Sequence, residues 1–191
     1  MIDAIILAAG QGTRMKSNKA KVLHQLGGKS LLHHVVDTIT PLSSSINIVI
    51  GRDGELVKNS IDNNSINWVV QNKQLGTGHA VQQAKTSIND KSTCIILYGD
   101  VPLISKNTIQ SLIAKSHSTG FSLLSVILDD PSGYGRIVRD KNQLIKAIIE
   151  HKDADHDKQK INEINTGIMA IKGSLLKKYI NQLVPNNKQG E

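Results

Sequence analysis

Apolar residues fall in short runs whose period alternates along the chain. Ile2 to Leu7 is apolar but for Asp3 and runs into a glycine-rich segment, the mark of a strand buried on both faces. From Ser30 the period becomes helical: Leu31, Leu32, Val35, Val36 and Ile39 share one face, and the Ser30 hydroxyl is placed to cap it. Ile46 to Ile50, Ile66 to Val70 and Cys94 to Tyr98 predict three further strands. Among them fall a short helix near Leu56, after Gly51, and a helix over Gly78 to Ala84. Ile109, Leu112 and Ile113 mark another after Ser105. This alternation predicts an α/β fold with a doubly wound, mostly parallel sheet.

After Gly120 the pattern changes. Phe121 to Leu128, Gly135 to Val138 and Leu144 to Ile149 predict strands joined by turns rich in Asp, Gly, Pro and Asn. An antiparallel or mixed extension is therefore expected beside the parallel part. Ile168 to Ile171 adds a strand, Leu175 to Ile180 a closing helix, and Asn186 to Glu191 reads as a loop. No internal repeat or low-complexity linker interrupts the chain.

A length of 191 residues suits one domain, and 39% hydrophobic residues suffice for a core. Aromatics are only 3%, so that core is aliphatic. The single cysteine, Cys94, lies in an apolar run and reads as a buried, inert thiol, which fits a cytosolic protein. No apolar run approaches the roughly 20 residues of a membrane span, and a signal peptide's features are missing. Lys and Arg exceed Asp and Glu by 23 to 16, a net charge of +7. The basic residues are dispersed and few aromatics could stack bases, which argues against nucleic acid. A polyphosphate substrate needs only a few of them.

Candidate chemistry clusters at the ends of the expected strands. Leu7-Ala8-Ala9-Gly10-Gln11-Gly12-Thr13-Arg14-Met15 places small residues directly after the first strand, where backbone N–H groups can approach a phosphate chain. Arg14 adds a permanently charged fork for phosphate oxygens. A tight strand-to-helix turn would also account for the glycines, though not for Arg14. The dinucleotide fingerprint fails because Met15 stands where it needs glycine. Gly28-Lys29-Ser30 imitates the end of a P-loop, but Leu23 replaces the required upstream glycine, and a helix start explains it better. The run His151 to Asp157 resembles a metal cluster; Lys158 and Ile164 break an EF-hand pattern, leaving a solvated loop. Asp100, in Tyr98-Gly99-Asp100-Val101-Pro102, follows a buried strand at the sheet edge where α/β folds bind ligands. It could hold a divalent cation against a polyphosphate or cap the next turn. Gln71 ends another strand at that edge, and its amide can donate and accept as uracil recognition requires. Thr77 is placed either to meet a ligand or to cap the following helix. His79 reads as a helix residue without an acid–base role.

Taken together, the motifs resemble the N-terminal uridylyltransferase domain of the bacterial bifunctional N-acetylglucosamine-1-phosphate uridyltransferases, whose C-terminal half is an acetyltransferase. The shared segments are LAAGQGTRM, KVLH at Lys21 to His24, QLGTGHA at Gln74 to Ala80 and YGDVPLI at Tyr98 to Ile104. DDPSGYGRI at Asp129 to Ile137, EHKDA at Glu150 to Ala154 and EINTGI at Glu163 to Ile168 follow in the family's order. The resemblance covers nearly the whole chain. It implies a Rossmann-like fold of the nucleotide-diphospho-sugar transferase type, with the extension serving sugar recognition. The implied reaction joins UTP and N-acetylglucosamine 1-phosphate into UDP-N-acetylglucosamine, with Mg²⁺ and release of pyrophosphate, for cell-envelope precursors. By resemblance, Leu7, Ala8, Ala9 and Gly10 line the nucleotide site, and Gln71, Gly76 and Thr77 its uracil side. Arg14 and Lys21 bind phosphates. Tyr98, Gly99 and Asp100 lie along the nucleotide, with Asp100 a Mg²⁺ ligand. Gly135, Glu150 and Asn165 hold the N-acetylglucosamine moiety.

The chain departs from the family in two places. Ala20 stands where a proline usually precedes the lysine of KVLH. The family also continues past Glu191 into a stretch carrying an Asn, the second Mg²⁺ ligand, then a connecting helix and a trimer-forming β-helix. Acetyl transfer and that trimer are therefore expected to be absent, with this chain a monomer. A nucleotide-sugar-binding chain without turnover, and a pyrophosphorylase for another sugar 1-phosphate, stand as alternatives.

Overall fold

A computed structural model describes residues 1–10, Gly12 and residues 15–183. In chain order the elements begin with β1 (Ile2–Ala8), β2 (Gln25–Leu26), β3 (Lys29–Ser30) and α1 (Leu31–Ile39). Then come β4 (Ser45–Ile50), α2 (Gly54–Asn59), β5 (Ile66–Val70), α3 (Gly76–Ala84), β6 (Thr93–Tyr98) and α4 (Lys106–Thr119). β7 (Phe121–Ile127), β8 (Arg136–Arg139), β9 (Ile145–Ile149), α5 (His156–Gln159), β10 (Glu163–Lys172) and α6 (Gly173–Ile180) complete the chain. Two compact units result, one from Met1–Ser122 with Met169–Leu183, the other from Leu123–Ile168.

In the first unit, β1 pairs in parallel with β4 and β6, and β4 with β5. The register sets Ala8 beside Ile50 and Leu7 beside Tyr98, so the C-terminal ends of β1, β4 and β6 meet at one edge. The C-terminal part of β10 joins β6 antiparallel, from Met169 opposite Ile96 to Lys172 opposite Thr93. Both faces of this sheet are covered, which explains the unbroken apolar run from Ala4 to Ala8 in β1. Ile5, Leu7, Val49, Cys94 and Ile96 pack with Ala80, Val81 and Ala84 of α3 and Leu176 and Ile180 of α6. Ala4, Ile6, Ile48, Ile95 and Leu97 alternate to the opposite face and are fully buried there. On that side α1 buries Leu32, Val35, Val36 and Ile39, and α4 packs on β6. Ser30 and Ser105 cap α1 and α4, accepting from the amides of His33 and Thr108. The doubly wound, parallel expectation is met. Burial pushes the Cys94 thiol up, and the nearby Asp3 carboxylate adds to the shift, so the thiol stays protonated and inert.

In the second unit, β8 pairs antiparallel with β9, and β10 joins β8 where Ile164 faces Arg136. β7 also pairs with β10. Ile137, Ala154, Ile164 and Ile168 are among its buried apolar residues. The expected mixed extension is present.

Three local expectations need correction. β10 begins at Glu163, five residues ahead of the apolar run from Ile168, so Asn165 lies inside a strand rather than beside one. Polar residues hide this strand, yet each is satisfied: Ser125 and Arg139 bond Glu163, and the Thr166 hydroxyl donates to Leu124 O at 2.6 Å. The run His151 to Asp157 is only partly loop, because Asp155 accepts from Lys158 N at 2.9 Å and caps α5. Gly28-Lys29-Ser30 forms a hairpin as well as a helix start. Gly27 and Gly28, both at positive φ, turn β2 into β3, as two-residue hairpins demand.

Candidate active site

The site is assembled where β1, β4 and β6 end. Leu7, Ala8 and Ala9 are buried at the end of β1, while Gly10 is exposed. A Cβ at Gly10 would meet nothing within 4 Å, so packing does not require that glycine. Gly12 differs: it has φ +61°, and a Cβ there would lie 2.7 Å from Lys21 Cβ. Gly12 thus lets the loop lie against the lysine stem. Arg14, assigned to phosphate binding, lies outside the described residues.

Lys21 opens a single 3₁₀ turn whose Val22 and Leu23 are buried, anchoring the lysine from below. Its Nζ forms an ion pair with Asp100 Oδ2. Asp100 follows β6 in a turn closed by Val101 N donating to Tyr98 O at 3.2 Å. Gly99 N donates to Leu7 O at 2.9 Å, joining the two strand ends. A Cβ on Gly99 would press Leu32 and Val22, at 3.0 and 3.2 Å, so this glycine permits close packing. The alternative of Asp100 as a turn cap finds no support: its carboxylate engages Lys21 instead. Lys21, Tyr98, Gly99 and Asp100 are thereby brought beside Leu7.

On the β4 side, Gln71 N donates to Ile50 O at 2.8 Å, and the side chain is buried. Its Nε2 donates to Gly76 O at 3.2 Å and lies 2.9 Å from His79 Nδ1. Thr77 is exposed within the first turn of α3, and Leu75, not Thr77, is the cap residue. The capping alternative for Thr77 is therefore excluded. Gln74 opens the QLGTGHA motif but carries no assigned role; its Nε2 donates to Ala9 O at 2.6 Å and ties the β1 end to the α3 approach. Gly51 makes room for this contact, since a Cβ would meet Ala9 O at 2.8 Å. A cavity of about 400 Å³ opens beside these residues, lined by Ala9, Gly10, Gly51, Arg52 and Gln74. Arg52 was missed as well; a lone exposed arginine carries no spacing signal.

In the second unit, Gly135, Glu150 and Asn165 form one cluster. Asn165 N donates to Gly135 O at 2.8 Å, and an added Cβ on Gly135 would lie 2.9 Å from Glu150 Oε1. Asn165 Oδ1 accepts from Gly167 N at 2.8 Å, which leaves its NH₂ group as the donor of this side chain. Glu150 supplies acceptors and Asn165 a donor, a pair suited to hydroxyl and amide groups. Beneath them Arg136 is almost wholly buried, donating to Tyr134 O and to Gln159 O and lying 3.2 Å from His151 Nδ1. Its Nε has no partner.

No group of three or more His, Cys, Asp or Glu side chains converges among the described residues. A divalent cation at Asp100 would therefore lack an all-protein cage among the described residues and depend on phosphate oxygens and water as well, which suits magnesium's habit. The donor set fits, with the condition that Lys21 yields the carboxylate. No helix is long and apolar enough to cross a membrane among the described residues.

The MobA-like NTP transferase domain family matches residues 4–160. Over its full length the chain is 52% identical to the bifunctional protein GlmU of Ruthia magnifica subsp. Calyptogena magnifica. It is 54% identical to the protein of that name from Vesicomyosocius okutanii subsp. Calyptogena okutanii. The chain spans 42% of the length of each. A solved UDP-glucose pyrophosphorylase complexed with UDP-glucose matches with a TM-score of 0.80 at 17% identity, covering 100% of this chain and 83% of that one. At that identity the likeness shows the fold and nothing finer.

Proposed function

Because the chain belongs to the MobA-like NTP transferase domain family, we propose that it transfers the uridylyl group of UTP to N-acetylglucosamine 1-phosphate. The observation carrying this reading is the meeting of Lys21 and Asp100 beside the small-residue end of β1. A fixed cation, a carboxylate and accessible backbone N–H groups are the parts that phosphoryl chemistry needs.

An oxygen of the sugar phosphate attacks the α-phosphorus of UTP; that P–O bond forms as the bond to the departing pyrophosphate breaks. No covalent nucleophile on the protein is required. Lys21, joined by Arg14, offsets the negative charge growing on the phosphates, and the amides near Gly10 donate to their oxygens. Gln71, with Gly76 and Thr77, takes the uracil; Tyr98 and Gly99 lie along the nucleotide. Gly135, Glu150 and Asn165 take the N-acetylglucosamine. Mg²⁺ bound at Asp100 would supply charge compensation on the polyphosphate. The whole chain serves as this nucleotidyltransferase domain, and its single buried thiol suits the cytoplasm.

The test is pyrophosphate release from UTP and N-acetylglucosamine 1-phosphate in the presence of Mg²⁺. Equal or faster release with glucose 1-phosphate, or with ATP or TTP, would overturn the specificity. A second reading, nucleotide-sugar binding without turnover, is favoured by the engagement of Asp100 with Lys21 and by the lack of a larger group of metal-ligating side chains among the described residues. Binding of UDP-N-acetylglucosamine with no pyrophosphate release would establish it.

A further inference from the structure

His79 enters the candidate site through Gln71 rather than through chemistry of its own. Gln71 is 4% exposed, so each polar atom of its amide needs a partner or an opening to the site. Its Nε2 faces two groups, Gly76 O at 3.2 Å and His79 Nδ1 at 2.9 Å. A backbone carbonyl only accepts, so the NH₂ group, not the oxygen, must point toward Gly76. The same NH₂ then donates its second hydrogen to His79 Nδ1, which accepts only when it carries no proton. A neutral imidazole has one N–H, so that proton sits on Nε2. The Gln83 amide lies 3.1 Å from His79 Nε2 and also donates to His79 O at 3.2 Å; it is the partner that adjusts, because it is only half-buried, so water can replace the bond to His79 O when its oxygen turns toward the ring N–H. The reverse tautomer would force the buried Gln71 oxygen against Gly76 O, a clash of acceptors.

Both hydrogens of the Gln71 NH₂ are thereby consumed within the protein. What remains is Oε1, which accepts none of the hydrogen bonds among the described residues. We infer that His79 is a positioning residue that locks Gln71 with its oxygen toward the base, selecting pyrimidines with N–H at position 3 and rejecting cytosine. The inference rests on the uridylyl reading and sharpens it. Uracil and thymine present a donor at that ring nitrogen, whereas cytosine presents an acceptor. Without His79 the amide could rotate and present its NH₂ to cytosine. A buried polar group left facing the wrong partner is the usual source of strong discrimination.

Two measurements on this chain decide the matter. Long-range ¹H–¹⁵N spectra of His79 should show Nε2 protonated and Nδ1 bare; a protonated Nδ1 overturns the inference without any ligand. Calorimetric titration with UDP and CDP should show wild-type preference for UDP by about 10-fold or more. His79→Leu should bring the two affinities within about 3-fold, and His79→Asn, whose side-chain oxygen stands near the Nδ1 position, should restore the preference. Retention of full preference in His79→Leu, or equal wild-type affinities, overturns the inference. A wild-type chain that binds neither nucleotide overturns the uridylyl reading itself, while the nitrogen spectrum still decides the tautomer.

Discussion

The ammonium of Lys21 and the carboxylate of Asp100 neutralise each other at the edge where β1 and β6 end. Both side chains are partly exposed, at 36% and 22%, so the pair lies within reach of solvent and ligand. A phosphate chain and its cation would divide the pair, the lysine going to phosphate oxygens and the carboxylate to the metal.

Asp100→Asn tests that division. Loss of the carboxylate charge should cut Mg²⁺-dependent pyrophosphate release by about 100-fold or more. It should leave UDP affinity without metal unchanged or tighter, because Lys21 is no longer engaged. Circular dichroism should show an intact fold. Unchanged activity at saturating Mg²⁺ would return Asp100 to a structural part.

The two described glycines of the loop after β1 should behave oppositely. Gly12→Ala combines a left-handed backbone with a Cβ 2.7 Å from the Lys21 stem, and should cost about 1–2 kcal/mol while misplacing Lys21. Gly10→Ala meets no atom of the described residues within 4 Å, and Gly10 has no positive φ. It should change stability by less than about 0.5 kcal/mol yet weaken nucleotide binding. Thermal melts paired with UDP titration separate the two effects; equal stability losses would contradict the assignment.

Gly135→Ala should act on the sugar alone. Its Cβ would crowd Glu150 Oε1 at 2.9 Å and Ile148 Cγ2 at 3.2 Å. The carboxylate is the movable partner, so the fold survives while Glu150 shifts. Affinity for UDP-N-acetylglucosamine should fall by about 10-fold, the worth of one charged hydrogen bond, with UDP affinity unaltered. A parallel loss for UDP would mean that the cluster does not recognise the sugar.

Glu163 and Arg139 make a bidentate pair, with Nε to Oε2 and Nη2 to Oε1 both at 2.7 Å. The hydrogen bonds from Arg139, then that from Ser125, hold the Glu163 carboxyl below the usual range. A lowered folded value means that the contribution is complete above the unfolded value of about 4.3. It is lost as pH falls from there through the folded value. Glu163→Gln should therefore lower stability at neutral pH by about 1 kcal/mol. The gap between variant and wild type should close in acid denaturation, and a gap independent of pH would show that the pair is not the cause.

Much of this was legible in the sequence, and the exceptions have physical reasons. Apolar runs, interrupted by Asp3 in β1 and Asn47 in β4, announced β1, β4 and β6 because both sheet faces are covered, and Ser30 and Ser105 gave away the starts of α1 and α4. The first half of β10 is not legible because Glu163 and Thr166 find partners on neighbouring strands, which no local pattern reveals. The spaced motifs named Lys21 and Asp100 separately; their pairing depends on the parallel register of β1 and β6. Gln74, Arg52 and the Gln71–His79 contact are joined by chain reversals, and an isolated Gln, Arg or His in a sequence carries no direction. Arg136 stood inside a quoted motif, yet its burial beneath the Glu150 cluster was visible only in three dimensions.

The course of β10 bears on how the chain acquires its structure. Its last residues complete the first unit against β6, but residues 123–168, the whole described second unit, intervene in sequence. Until they have closed as a loop, β6 presents an open edge, so the parallel core forms early but stays unsealed. Closing a longer loop costs little extra entropy, since the penalty grows only with the logarithm of length. The greater hazard is kinetic: a bare, apolar β6 invites pairing with another chain. A polypeptide halted after Ser122 would keep the α/β core's residues from β1 to α4 and expose that edge permanently, so aggregation rather than simple unfolding should be its fate.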